Sequence, residues 1–86
     1  MKHMDVRVGA VYRVSAGGRW VPVRVTRITR RHYIDSADRM RTKWIVEAVN
    51  LITGRRIRRS TQALYPLEPG ELEKWQHLIK KEYREG

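Results

Sequence analysis

The chain has 86 residues, 19 Lys and Arg against 9 Asp and Glu, a formal net charge of +10, and no cysteine. A chain of this length has room for one small domain and a single core. The absence of cysteine excludes a disulfide framework, a thiolate zinc site and a cysteine nucleophile.

The first predicted strand covers residues 6–14, where apolar side chains recur at every second position. Arg7 and Arg13 fall on the opposite side, which predicts either a half-buried strand or a strand entered through a short loop. Residues 15–18 end in paired glycines, which supply the positive φ angles of a tight turn.

The second predicted strand covers residues 20–31, with Val21, Val23 and Val25 facing inward. Ile28 follows Val25 after three residues instead of two, and this shift predicts a β-bulge or a sharp bend. Pro22 cannot donate a ladder hydrogen bond, so we expect it at an open edge or at the start of the strand.

The next segments are a predicted loop and a hairpin. Residues 35–43 are polar and charged, which favours a mobile loop, and residues 44–52 form the most apolar strand. Thr53 and Gly54 are predicted to turn the chain, with the glycine in the left-handed conformation. Residues 55–60 then return as a strand with Ile57 pointing inward between pairs of arginines.

The last third of the chain is predicted to contain a helical turn over residues 60–63, a short closing strand over 64–67, and one helix over 69–85. In that helix, Leu72, Trp75, Leu78, Ile79 and Tyr83 lie on one stripe at the helical period. Pro69 suits its first turn, and acidic residues near its start match the positive end of the helix dipole.

Three segments carry a resemblance to a known fold: Val-Gly-Ala-Val-Tyr at 8–12, Val-Pro-Val-Arg-Val at 21–25, and Asn-Leu-Ile-Thr-Gly-Arg at 50–55. Together with the bent strand they resemble the small SH3-like β-barrels of the KOW and Tudor type, including those encoded by phages and mobile elements. The resemblance spans residues 6–67 and implies a non-catalytic module that binds nucleic acid or peptides. The predicted fold is therefore mainly β: an SH3-like barrel of four to five antiparallel strands over residues 4–68, with a C-terminal amphipathic helix over 69–86 packed on it.

The net positive charge comes entirely from the first 70 residues. Residues 1–70 contain 15 basic and 5 acidic residues, whereas residues 71–86 contain 4 of each. Arginine makes bidentate contacts with phosphate and stacks on bases, and phosphates relieve the mutual repulsion of clustered guanidinium groups. The predicted nucleic-acid-binding residues are Arg24, Arg27, Arg30, Arg31, Arg55, Arg56, Arg58, Arg59, Trp20 and Tyr33.

These residues predict a nucleic-acid-binding accessory protein that contacts phosphates largely without regard to sequence, and double-stranded DNA is favoured over RNA. Trp20 and Tyr33 stand near arginines and would stack on bases, whereas Tyr12, Trp44 and Trp75 lie on apolar stripes and are predicted to be core. Two alternatives remain: a basic face that is only solvated, and a protein-interaction module that binds an acidic partner or a modified peptide in a nucleoprotein or phage assembly. The predicted helix would cap the barrel, or would bind a second copy or a protein partner through Trp75.

No catalytic residue, metal site or cofactor is predicted, because the histidines are scattered and no His, Asp and Glu spacing matches a metal site. Gln62 and Tyr65 resemble the active-site strand of the small plasmid-type dihydrofolate reductases, but their spacing is one residue too long, so we expect no enzyme activity. No apolar run reaches the ~20 residues that span a bilayer, and no signal segment is evident, so we expect a soluble cytoplasmic protein without membrane contacts.

Overall fold

The computed structural model describes residues 5–83, which form a mainly β fold with little helix. Four antiparallel strands lie in one sheet in chain order: β1 (Val11–Ala16), β2 (Arg19–Ile34), β3 (Met40–Asn50) and β4 (Arg56–Ser60). A 3-10 turn (Thr61–Ala63), a helix α1 (Glu71–Trp75) and a second 3-10 turn (Lys81–Tyr83) follow. No helix within the described residues is long and apolar enough to cross a membrane.

Two hairpin turns form where glycine and local side-chain hydrogen bonds favour them. Gly17 and Gly18 both have positive φ and join β1 to β2. Between β3 and β4, the Asn50 side-chain oxygen accepts the N–H of Ile52 at 2.9 Å, and Gly54 has φ 79°. Both turns predicted from the sequence are confirmed.

The predicted β-bulge in the second strand is confirmed as well. The β2–β3 pairing passes from Val25 opposite Ala48 to Arg27 opposite Glu47, so Thr26 is an extra residue. The Thr26 hydroxyl donates a hydrogen bond to the Glu47 carbonyl at 3.1 Å, which satisfies an acceptor beside the interrupted ladder. A bulge bends its strand and increases its local twist, so the direction of β2 changes at Thr26.

The core lies on one face of the sheet, which we call the inner face. Its buried residues are Val6, Tyr12, Val14, Val23, Val25, Val46, Ala48 and Leu64. The buried Tyr12 hydroxyl accepts the N–H of Arg7 and donates to the carbonyl of Asp5, so burial leaves it hydrogen-bonded. Pro22 is paired with Arg13 on β1. Its carbonyl accepts a hydrogen bond from the Leu51 N–H, just beyond the first pair of β2 with β3. The missing N–H of Pro22 therefore interrupts neither the β1–β2 nor the β2–β3 ladder.

The sheet does not close into a barrel over the described residues. The segment predicted as a closing strand, residues 64–67, contributes a single bridge to β1, in which Arg13 and Tyr65 exchange two backbone hydrogen bonds of 2.9 and 3.0 Å. Pro66 follows at once and has no N–H to extend this pairing.

The predicted long C-terminal helix is wrong in extent, because the α-helix comprises only Glu71–Trp75. Beyond it the chain follows tertiary contacts: Ile79 is buried, and the Lys80 N–H donates to the Leu51 carbonyl at 2.9 Å. The predicted apolar stripe therefore contributes buried side chains although the helix does not continue through it. Residues 84–86 of the predicted helix lie outside the described residues.

The predicted loop over residues 35–43 is wrong from residue 40 onward, because β3 begins at Met40. β1 pairs with residues 19–24 of β2, and β4 pairs with residues 45–49 of β3. Over most of their length, the strand segments 29–34 and 40–44 therefore pair only with each other. Both faces of this two-stranded ribbon are exposed to solvent. We call residues 29–44 the arm, and it accounts for the elongated 48 × 22 × 21 Å shape.

Candidate nucleic-acid interface

The face of the sheet opposite the core, which we call the outer face, carries rows of basic side chains. Residues paired directly across antiparallel strands lie on the same face. Arg24 is paired with Val49 and through it with Arg56, and the next row holds Arg27, Glu47 and Arg58. The bulge keeps these two rows on one face although Arg24 and Arg27 are three residues apart.

Further along, the same face continues onto the arm. Arg31 is paired with Lys43, and Tyr33 with Arg41. Glu47 is the one acidic residue among the paired outer-face positions from Arg24 to Tyr33, against seven basic ones. Two of the seven cations have a carboxylate nearby: the Arg58 Nε lies 3.9 Å from Glu47 in a weak exposed pair, and the Arg41 Nε lies 2.7 Å from Asp35, just beyond this range of positions. Most of the positive charge of the face therefore remains available to a ligand.

A shallow pocket of about 330 Å³ lies on this face where β4 ends beside the base of the arm. Its lining is Arg31, Lys43, Ile45, Arg58, Arg59 and Ser60. Four of these six residues are cations and none is a carboxylate. The pocket therefore offers a site for an anionic group such as a phosphate.

The structure brings together five of the eight predicted arginines on the outer face: Arg24, Arg27, Arg31, Arg56 and Arg58. The other three lie elsewhere. Arg30 is paired with Trp44 on the inner face of the arm, with its Cζ 5.9 Å from the centre of the Trp44 ring. Arg59 is paired with Val46 but reaches the pocket, and Arg55 lies in the β3–β4 turn.

The predicted aromatic contact residues lie far apart. Trp20 is near the start of β2 and Tyr33 is near its end, about 40 Å away at ~3.3 Å per residue. Trp20 packs edge-on against Tyr65, and the Arg13 guanidinium lies 4.5 Å above its ring. Trp20 is on the outer face by register, but the Arg13 beside it is paired with Glu68 and Glu71, so its surroundings are not those of the basic rows. Tyr33, 47% exposed, lies among the basic rows, paired with Arg41.

Two further aromatic predictions are wrong. Trp44 and Trp75 are only partly buried and neither belongs to the core cluster, whereas Tyr12 is buried there as predicted. Trp44 lies on the arm, beyond the point where Leu64 and the other core residues cover the sheet.

The tip of the arm is held by Asp35. One of its carboxylate oxygens accepts the N–H groups of Ala37 and Arg39 at 2.9 and 3.0 Å, and the other accepts Arg41 Nε at 2.7 Å. The Arg41 guanidinium, together with these backbone donors, lowers the pKa of Asp35 from its ordinary value. Asp38 has φ 62°, the left-handed conformation that Asp tolerates in tight hairpin loops. The tip is therefore a defined turn.

Sequence reasoning missed Arg41 and Lys43, which lie on the outer face beside Tyr33 and Arg31. The pattern that could have found them is the alternation of Met40, Thr42 and Trp44 with the two cations. This pattern is weak because Met40, Thr42 and Trp44 are not all apolar. That mixture is expected for a strand exposed to solvent on both faces.

The chain matches no family model, no curated protein and no solved structure with which it was compared. Within residues 5–83, no group of three or more His, Asp and Glu side chains is placed to hold a metal ion. The candidate site is therefore defined by its own geometry and charge.

Proposed function

We propose that the protein binds nucleic acid through its outer face, with arginine and lysine side chains contacting phosphates largely independently of sequence. The observation that carries this proposal is the excess of seven basic over one acidic residue on the paired positions of that face. Repulsion among these cations is relieved when a polyanion displaces the small anions around them. The four cations that line the 330 Å³ pocket are where we expect a phosphate to bind.

Double-stranded DNA is the favoured ligand. The basic face extends from Arg24 to Tyr33, about 27 Å allowing for the bulge, which equals about 8 base pairs along B-DNA. The arm is a two-stranded ribbon, and the major groove of B-DNA is wide enough to admit one. The narrow major groove of A-form RNA would exclude it.

An acidic protein partner fits this face less well. The cores of protein–protein interfaces are depleted in charged residues, whereas the outer face presents rows of charge around few apolar side chains. We further propose that the sheet is a variant of the SH3-like barrel. Its support is the 3-10 turn after β4 and the Tyr65 bridge back to β1.

The test is fluorescence anisotropy of a labelled random DNA duplex, repeated with single-stranded DNA and duplex RNA across a salt series. With about six phosphate contacts, affinity for the duplex should fall by ~10³-fold between about 50 and 200 mM salt. Duplex DNA should bind more tightly than RNA. Absence of binding at the lowest salt would refute the proposal, and a nuclease-resistant complex with an acidic protein would favour the protein-interaction alternative.

A further inference from the structure

Arg41 lies on the outer face of the arm, beyond the last pair of basic residues. It is paired with Tyr33, and the neighbouring row on the same face is Arg31 and Lys43. Successive rows on one face of a strand are about 7 Å apart, so Arg41 continues the surface that the basic rows form. More than half of its side chain is exposed. A ligand that follows the outer face along the arm therefore reaches Arg41.

The guanidinium of Arg41 is held in one direction. Its Nε donates to one carboxylate oxygen of Asp35 at 2.7 Å, while the other oxygen accepts the N–H groups of Ala37 and Arg39. Because these backbone hydrogen bonds fix the carboxylate, the carboxylate in turn fixes the arginine. An exposed ion pair of this kind contributes little to stability, but a side chain that is already oriented loses less conformational entropy when it binds a ligand.

The contact with Asp35 uses only the Nε of Arg41. The two terminal amino groups, Nη1 and Nη2, have no hydrogen-bond partner among residues 5–83. Together they form a planar pair of donors that matches two acceptors lying side by side. In the major groove of B-DNA, guanine presents such a pair in its O6 and N7, and arginine bound to both is the commonest base-specific contact. Adenine presents one donor and one acceptor there, so it fits these donors less well.

The charge around Arg41 favours a base over a phosphate. Residues 35–41 contain two aspartates and two arginines and carry no net charge. A carboxylate close to a phosphate is repelled by it, whereas the edge of a base is neutral and tolerates a carboxylate nearby. The Arg31–Lys43 row, by contrast, lines the pocket that has no carboxylate in its lining, and therefore suits a phosphate. The chemistry of the outer face thus changes between the base of the arm and its tip.

We propose that Arg41 donates its two terminal amino groups to O6 and N7 of a guanine in the major groove of duplex DNA, with Asp35 as its positioning residue. This inference rests on the proposed function, since it assigns the arm a further role within the same interface. The phosphate contacts provide affinity on any sequence, and Arg41 adds a preference for a G·C pair at one position.

The experiment compares two duplexes that differ in one atom of each guanine. Anisotropy is measured with a labelled duplex of about 20 G·C pairs in mixed order, which is more than twice the length of the basic face, and with the same duplex carrying 7-deazaguanine, in which a carbon replaces N7. The wild-type protein should bind the 7-deazaguanine duplex at least about fivefold more weakly, with an unchanged salt slope because the phosphate contacts are the same. Hypoxanthine in place of guanine keeps O6 and N7 and removes only the minor-groove amino group, so it should not weaken binding.

Matched variants test whether the preference comes from Arg41. Arg41→Gln removes the terminal amino pair and one positive charge. Arg39→Gln removes the same charge from the neighbouring exposed arginine, whose side chain makes no ion pair within the described part of the chain. Arg41→Gln should bind the guanine and 7-deazaguanine duplexes equally, whereas Arg39→Gln should keep the wild-type ratio of affinities. Asp35→Asn, which removes the charge that orients Arg41, should lower this ratio without abolishing binding.

Equal binding of the guanine and 7-deazaguanine duplexes by the wild-type protein would overturn the base contact while leaving the proposed function intact, and this comparison needs no variant. A hypoxanthine duplex bound as weakly as the 7-deazaguanine duplex, or a preference that survives in Arg41→Gln, would overturn the base contact as well. If the protein binds no duplex at the lowest salt, both proposals fail.

Discussion

Neutralising the Arg31–Lys43 pair should weaken DNA binding by an amount that the geometry allows us to estimate. The two side chains face each other across the arm and both line the 330 Å³ pocket. Neither has a carboxylate partner among the described residues, so the double variant Arg31→Gln/Lys43→Gln removes two free cations without breaking an ion pair. The fold should be unaffected, because both residues are exposed.

The size of the effect follows from counterion release. Each phosphate contact contributes about 0.9 to the slope of the logarithm of the binding constant against the logarithm of salt concentration, so losing two contacts lowers the slope by about 1.8. At ~0.15 M salt this corresponds to about 30-fold weaker binding, and the difference vanishes on extrapolation to about 1 M. The loss should be the same on unrelated DNA sequences, because phosphates carry no sequence information.

The assay is anisotropy of a labelled duplex across the salt series, with circular dichroism confirming that each variant is folded. The matched control is Lys74→Gln/Lys81→Gln, which makes the same change in net charge on the C-terminal segment, away from the outer face. Equal losses in slope for both double variants would show that total charge and not this face controls binding. That result would refute our assignment of the interface.

Two further predictions concern the tip and the core. In wild-type protein the amide resonances of Ala37 and Arg39 should titrate with a midpoint below the ordinary Asp pKa of about 3.9, because the hydrogen bonds of ionised Asp35 are complete above that value and are lost as the pH falls through the lowered pKa. Asp35→Ala should abolish this titration, and a wild-type midpoint at or above 3.9 would contradict the account of the tip. Leu64→Ala should lower the free energy of unfolding in urea by about 2–5 kcal/mol, since Leu64 is buried in the core cluster. The same truncation at the exposed Leu78 should cost less than about 0.5 kcal/mol, and equal losses at the two positions would argue against the described core.

The features of this fold that were predicted correctly are those determined by one short segment of the sequence. The three-residue step from Val25 to Ile28 was enough to predict the bulge, and the glycines at 17–18 and 54 were enough to predict two turns. Residues 32–34 and 40–43 of the arm were not predicted as strand, because an alternating pattern depends on one face being buried and these residues have no buried face. The C-terminal helix was predicted to be too long. An apolar stripe indicates which side chains are buried, but the tertiary contacts that bury them decide whether the backbone stays helical.

The candidate site was predictable in composition but not in arrangement. Arginines on two segments indicated a basic surface, but which of them share a face depends on strand pairing. Arg30 and Arg31 are neighbours in the chain and lie on opposite faces, while Arg31 and Lys43 are twelve residues apart and directly opposite each other. The acidic residues that pair with Arg13 beside Trp20, Glu68 and Glu71, lie about fifty residues away from Trp20 in the sequence.

The bulge at Thr26 has a consequence for how this chain tolerates insertions and deletions. Thr26 has no partner residue on β3. Its deletion would therefore restore regular pairing and leave Arg27 and Arg31 on the outer face of the sheet. Loss of a single residue from 27–33 instead would reverse the side of every position between the bulge and the deletion, or would require a new bulge there. Relatives of this protein should therefore differ in length at Thr26, or by equal insertions or deletions in both strands of the arm. Deletions of one residue within 27–33 should be rare.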